Sequence, residues 1–302
     1  MAVILFSLEQ HPLTESLCLK VGAIQGGCEY RRFPDGESYL RVLTPVDGQH
    51  CIILCNMLNP DEKYLPFIFL ADTLRELGAL TVGLVSPYLG YMRQDIRFKE
   101  GEVVTSRIFA KAVSQHASWL VTVDPHLHRY HSLDEIYTIP SRVIQGAPLL
   151  AEWLKGQEQL LLVGPDAESD QWVSSIATVS GHPYVVGSKE REGDRQVKIT
   201  LPDLSSYTGR RAVIVDDVIS SGQTILECIA ELHAQNFKQI GCVAVHGIFA
   251  DASDKALMET GLDFLVTTNT IVHESNGVDM GEAIAGAVKD CLGLCSVKEP
   301  LC

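Results

Sequence analysis

The sequence predicts an α/β protein in two similar domains, each a mainly parallel sheet flanked by helices. Apolar, β-branched runs alternate along the chain with stretches of helical spacing, the pattern of parallel sheets covered by helices. An apolar strand ending in an acid occurs twice, as Trp119–Asp124 and as Arg211–Asp216, which suggests an internal duplication joined near Gln145–Pro148. The 302 residues suffice for two domains of about 150 residues each. The expected bounds are 1–146 and 147–302, with the last helix free to pack on the first domain.

Taken in order, strands are expected at Val3–Ser7, Tyr39–Leu43, Cys51–Cys55, Thr81–Ser86 and Trp119–Val123. They continue at Leu160–Val163, Tyr184–Gly187, Val197–Thr200, Ala212–Val215, Gly241–Val245 and Phe264–Val266. Helical spacing fills Tyr64–Leu77, Ser106–His116, Leu149–Leu154, Asp170–Val179, Ile225–Ala234, Ser253–Glu259 and Met280–Leu292. Gly78 and Gly181 stand where two of these helices stop.

A composition of 46% hydrophobic and 21% charged residues is that of a soluble globular protein. The net charge of −14 argues against nucleic-acid and anionic-membrane partners, which need a basic footprint. An anionic substrate must therefore be met by a few local cations. The start, Met1–Ser7, lacks a basic leader and is too short to span a membrane, so it reads as a first strand of a cytoplasmic protein. The 9 cysteines are odd in number and scattered, which fits reduced, buried thiols better than a disulfide framework or a zinc site.

The most informative stretch is Val213–Thr224, VIVDDVISSGQT. An apolar strand is expected to stop at Asp216 and Asp217, and Ser220, Ser221, Gly222, Gln223 and Thr224 then open a helix. A helix start offers unpaired N–H groups and partial positive charge to a phosphate, Gly222 permits close approach, and the hydroxyls add donors. The two carboxylates can accept from ribose hydroxyls or face a magnesium ion.

Other strand ends carry further candidates. Arg93 and Gln94, in the loop after Thr81–Val85, offer phosphate and amide contacts, or form a solvated loop with Asp95. Asp124-Pro125-His126 begins a run with His128 and His131, but without helical HxxxH spacing or a nearby cysteine it does not read as zinc-binding. His126 alone, with carboxylates and phosphates around one magnesium, is the preferred reading. Asp166 is a second magnesium contact or a cap for the helix that follows. The charged run around Lys189 and Arg191 is solvated surface or a lid whose cations serve phosphoryl transfer. Phe33, Asp35, Gly36 and Glu37 form a turn, or an aromatic face with acids for a base and its ribose.

In this order, FPDGE, PYLGYMRQD, VDPH, GPD, KER and VIVDDVISSGQT, with HGIFADA and TTNTI near the C-terminus, resemble a divergent ribose-phosphate pyrophosphokinase. The resemblance implies two phosphoribosyltransferase-like domains. It implies transfer of the pyrophosphoryl group of ATP to ribose 5-phosphate, giving 5-phosphoribosyl 1-pyrophosphate and AMP for nucleotide biosynthesis. Phe33, Asp35, Gly36, Glu37, Arg93 and Gln94 then match ATP-binding positions, and His126 and Asp166 match Mg2+ contacts. Lys189 matches the catalytic lysine of a flexible loop and Arg191 its partner. Asp216, Asp217 and Ser220 to Thr224 match the ribose 5-phosphate site. A dimer-based homo-oligomer, up to a hexamer, is also implied.

The chain departs from the family pattern after His126, where a Gln-Ile-Gln-type stretch is usual. It departs again at Glu168-Ser169, where a glycine pair is usual, at Ser220-Ser221, and at Glu100 and Glu102, which thin the basic residues. The alternatives are a phosphoribosyltransferase, which would explain VIVDDVISSGQT but not the first half, and a non-catalytic regulatory homologue, which would be expected to lose Lys189 and Arg191.

Overall fold

The computed structural model describes residues 1–127, 129–192 and 196–296, without the side chains of 190–192, 196–197 and 294–296. The chain forms two compact units, one of residues 1–144 with the segment from Met280 onward, the other of residues 145–279.

In the first unit the strands are β1 (Val3–Ser7), β2 (Ile24–Gln25), β3 (Cys28–Arg32), β4 (Ser38–Val42), β5 (His50–Leu54), β6 (Thr81–Ser86), β7 (Trp119–Val123) and β8 (Ser141–Ile144). Its first helices are α1 (Leu13–Val21), α2 (Pro60–Glu76) and α3 (Thr105–His116). The second unit holds α4 (Ala147–Lys155), β9 (Leu160–Gly164), α5 (Asp170–Ser180), β10 (Tyr184–Val186), β11 (Ser188–Glu192), β12 (Gln196–Thr200) and β13 (Arg211–Ile219). It continues with α6 (Gln223–Ala234), β14 (Ile240–Gly247), α7 (Ser253–Glu259), β15 (Phe264–Thr268) and β16 (Asn276–Val278). Helix α8 (Gly281–Ser296) then returns to the first unit, against α1, β7 and β8.

Each unit has one six-stranded, all-parallel sheet, ordered β2-β1-β5-β6-β7-β8 in the first and β10-β9-β13-β14-β15-β16 in the second. Central strands such as β5, β7 and β9 are buried at every residue, which explains their unbroken apolar runs: a parallel sheet is covered on both faces. Phe6, Ile53, Phe67, Leu70, Leu84 and Phe109 form one core, and Leu161, Ile214, Cys228, Leu232 and Leu257 belong to the other. Each sheet also has a two-stranded antiparallel ribbon inserted at the same point in its order, β3–β4 in the first unit and β11–β12 in the second.

The two orders match strand for strand, but not as the Trp119–Asp124 echo implied. Strand β13 corresponds to β5, and β7 to β15. An apolar strand ending in an acid is a local pattern that any buried parallel strand can show, whereas position in the sheet is set by pairing. The charged run expected to be a loop at Lys189 and Arg191 is strand β11, each residue facing one on β12. Its alternation was hidden because most of its side chains are polar. Strands β2, β3, β8 and β16 are short and carry few apolar residues, and α1, though it holds Leu13, Leu17, Leu19 and Val21, spans only nine residues; none of these elements was read from the sequence.

Candidate active site

The β13–α6 junction holds the acids and the helix start. Strand β13 does not stop at Val215 as expected but runs through both acids to Ile219. Strand β14 is long enough to supply partners, Ala244 beside Asp216 and Gly247 beside Ile219. The chain then turns at Gly222, whose φ of +73° is a left-handed value that favours glycine. A Cβ there would stand 3.1 Å from the Ser253 Cβ. No side chain caps α6, which leaves its first N–H groups directed at the loop. Ser220, Ser221, Gly222, Gln223 and Thr224 surround that start. The Ser253 hydroxyl and the Ala250 N–H both donate to the Ser220 carbonyl, at 2.8 and 3.0 Å, and brace the loop from α7.

The acids beside it are crowded. Asp217 is 8% exposed, and its N–H donates to Asp216 Oδ1 at 3.0 Å. Burial pushes the Asp216 carboxyl well above the usual carboxylate range, and the charges of Asp217 and Asp166 push it further; the Asp217 N–H and the Lys189 ammonium act in the opposite sense. Asp166, 6% exposed, follows β9. Its Oδ1 accepts the N–H groups of Glu168 and Ser169 at 3.0 and 3.3 Å, and its Oδ2 takes the Lys189 ammonium at 2.8 Å. Asp166 thus organises the chain entering α5 with one oxygen while the other faces a cation. Lys189 reaches it from β11, with only 18% of its side chain exposed. Arg191 lies on the same strand, and its side chain lies outside the described residues, as does His128.

Negative charge exceeds what one ammonium balances, and the donors are hard oxygens. That donor set fits Mg2+ at Asp166. His126 follows β7 in the first unit and is half-buried. A second group of possible ligands, Asp254, His273 and Glu274, brings its atoms within 4.8 Å of one another. There the His273 Nδ1 accepts the Ser275 N–H at 3.1 Å, and its Nε2 lies 3.4 Å from Asp254 Oδ2, so the ring is already engaged on both sides within the protein.

The first unit presents the other candidates. Phe33 to Glu37 are the exposed tip of the β3–β4 ribbon, closed by the Gly36 N–H to the Phe33 carbonyl at 2.9 Å, with Asp35 Oδ1 accepting the Glu37 N–H at 3.2 Å. Phe33 and Tyr39 meet edge to face at 6.0 Å, and the Arg31 guanidinium lies 4.5 and 4.3 Å from their ring centres. Arg31 is thus a cation at this tip that periodicity did not mark. Arg93 is exposed and Gln94 half-buried in the segment after β6, and the Gln94 carbonyl accepts the Ser106 N–H at 3.3 Å.

Sequence reasoning missed Ser169, whose hydroxyl donates to the Asp166 carbonyl at 2.6 Å, and Ser253. Small hydroxyl residues carry no periodic signal; the Glu168-Ser169 departure was the one available clue. All seven cysteines whose side chains are described are free thiols, and burial pushes Cys51 and Cys55 up to about 12.

A parallel sheet with an acid pair leading into an uncapped helix start defines a phosphoribosyltransferase-type domain, and residues 132–282 match the phosphoribosyl transferase domain. Residues 3–116 match the N-terminal domain of ribose phosphate pyrophosphokinase. The ribose-phosphate pyrophosphokinase of Methanobrevibacter smithii is 30% identical over 87% of this chain and 91% of its own length. That of Methanopyrus kandleri is 30% identical over 96% of this chain and 100% of its own. A crystal structure of phosphoribosylpyrophosphate synthetase from Mycobacterium smegmatis shares the fold, with a TM-score of 0.85 at 20% identity, over 97% of this chain and 100% of that one. The chain belongs to the ribose-phosphate pyrophosphokinase family, and it is an enzyme of that family.

Proposed function

We propose that the chain transfers the pyrophosphoryl group of ATP to the anomeric hydroxyl of ribose 5-phosphate, for nucleotide biosynthesis. The observation that carries this reading is the uncapped α6 start beside Asp216 and Asp217, with Lys189 held at 2.8 Å from Asp166, in a member of this family. The 5-phosphate is received by Ser220 to Thr224 and the ribose hydroxyls by Asp216 and Asp217. The anomeric oxygen attacks the β-phosphorus in line; the bond from that phosphorus to the oxygen of the departing AMP breaks, and the hydroxyl proton is released. Lys189, with Arg191, neutralises charge on the transferring group, where electrostatics and positioning do most of the work. Phe33, Asp35, Gly36, Glu37, Arg93 and Gln94 bind the nucleotide. Asp166 and His126 are the candidate residues to hold Mg2+, which would supply charge neutralisation on the phosphates. A homo-oligomer in the cytoplasm completes the reading.

The test is AMP release from ATP, with and without ribose 5-phosphate, in the presence of Mg2+. Release of AMP together with 5-phosphoribosyl 1-pyrophosphate, only when the sugar is present, is the expected result. A folded protein releasing none would refute it. A protein that consumes 5-phosphoribosyl 1-pyrophosphate in the presence of a base, without making it, would be a phosphoribosyltransferase.

A further inference from the structure

Asp95 ends the Arg93-Gln94-Asp95 segment and is 3% exposed, although nothing in the proposed chemistry uses it. Burying a carboxylate demands a partner, and here it is Arg129, whose Nη1 donates to Asp95 Oδ1 at 2.7 Å. The arginine comes in from the surface: its side chain is 43% exposed, against 2% for the aspartate. Its guanidinium also lies 5.3 Å from the Phe98 ring centre, three residues beyond the acid.

The neighbouring Tyr130, 8% exposed, secures the same segment through the backbone. Its hydroxyl donates to the Asp95 carbonyl at 3.1 Å, accepts from Arg107 Nε at 3.2 Å and lies 3.2 Å from the Ser106 hydroxyl. Ser106 in turn gives its N–H to the Gln94 carbonyl. Residues 94, 95 and 98 are thereby fastened to the segment after β7 and to the start of α3. Arg93 and Gln94 are carried by that frame, two residues and one residue ahead of Asp95.

We infer that Arg129 is a positioning residue: its ion pair with buried Asp95 sets the conformation in which Arg93 and Gln94 receive the nucleotide phosphates. This deepens, and rests on, the assignment of Arg93 and Gln94 to ATP. Without the arginine, a buried carboxylate loses its charged partner, and the segment must rearrange to hydrate it. The cost then falls on ATP and spares the sugar phosphate.

The test measures binding as well as turnover. In Arg129→Ala, the Kd of a fluorescent ATP analogue and the KM for ATP are expected to rise about tenfold to a hundredfold, with the KM for ribose 5-phosphate changing less than about threefold. In Arg129→Ala/Asp95→Asn, which leaves no charge to hydrate, most of the nucleotide affinity is expected to return; Arg129→Lys is expected to fall between. Should Arg129→Ala fail to fold, the double variant and Arg129→Lys carry the comparison. Unchanged nucleotide affinity in Arg129→Lys and in Arg129→Ala, equal losses for both substrates, or no recovery in the double variant would overturn the inference. Because nucleotide binding is read separately, an unmodified protein that binds ATP without releasing AMP sinks the proposed reaction and leaves this inference standing. One that binds no ATP sinks both.

Discussion

Equivalent places in the two sheets have opposite chemistry. Strand β5 begins opposite Val3 of β1 as β13 begins opposite Leu160 of β9, so the shared register puts Cys55 where Asp216 stands and Asn56 where Asp217 stands. The first of these junctions is closed on itself. Cys55 is fully buried, the Asn56 N–H goes to Glu9 Oε1 at 3.1 Å, and the Leu58 N–H goes to Asn56 Oδ1 at 2.8 Å. Glu9 is paired with Lys63 at 2.7 Å, and the helix opens on Pro60, which has no N–H to offer. At the second junction the two acids are adjacent, the Asp217 N–H donating to Asp216 Oδ1 at 3.0 Å, and the helix opens on Gly222 and Gln223, with no proline at its start. One topology thus hosts a sealed turn and the proposed ligand cradle, and the difference lies in a handful of side chains rather than in the sheet.

The contrast can be broken most directly at its two lysines. Lys189 and Lys63 make ion pairs of 2.8 and 2.7 Å. Lys189→Ala is expected to lower kcat about 10²–10³-fold, the usual effect of removing one positioned charge from a reacting group, measured by initial rates of AMP formation. A variant with full turnover would return Lys189 to a structural role. Cys55→Asp would copy the acid into the sealed junction; with no ligand to face, it is expected to cost about 3 kcal/mol or more, read from urea unfolding. An unchanged midpoint would mean that the junction is open after all.

Asp216→Asn sharpens the other side. The folded-state carboxyl of Asp216 is raised, so the folded protein holds its proton to higher pH than the unfolded chain does. Its contribution is therefore most favourable below the ordinary carboxylate pKa of 3.8 and is lost as pH rises through the raised value. Without Mg2+ and nucleotide, Asp216→Asn is expected to flatten that fall and raise the thermal midpoint at pH 7 by a few degrees, while weakening ribose 5-phosphate about tenfold through the lost charged acceptor. A lower midpoint would contradict the electrostatic account. The smallest effect is expected from Lys63→Ala, at about 0–1 kcal/mol of stability and with unaltered kcat, because that pair is partly exposed and neither residue has a role in the proposed chemistry.

The sheets and the strand-to-helix junction at Asp216–Thr224 were legible because their signals are local: β-branched runs, two adjacent acids, a glycine before a helical stripe. Lys189 was legible as a charge, but its strand was not, since alternation along Ser188–Glu192 is a matter of which neighbour each residue faces. Arg129 and Asp95 lie 34 positions apart, and Lys189 and Asp166 lie 23 apart. No spacing rule reaches that far, and only the folded chain brings them together.

The return of the chain to its first unit affects how the protein is made. Helix α8 buries Ile284, Ala285, Val288 and Cys291, with Met280 buried just ahead of it, and its neighbours α1, β7 and β8 have all been synthesised by residue 144. During translation, that apolar surface waits while residues 145–279 emerge, on the order of ten seconds at ordinary elongation rates. The second unit can fold as soon as it clears the ribosome, whereas the first must remain unfinished, and open to misassociation, until the final helix arrives.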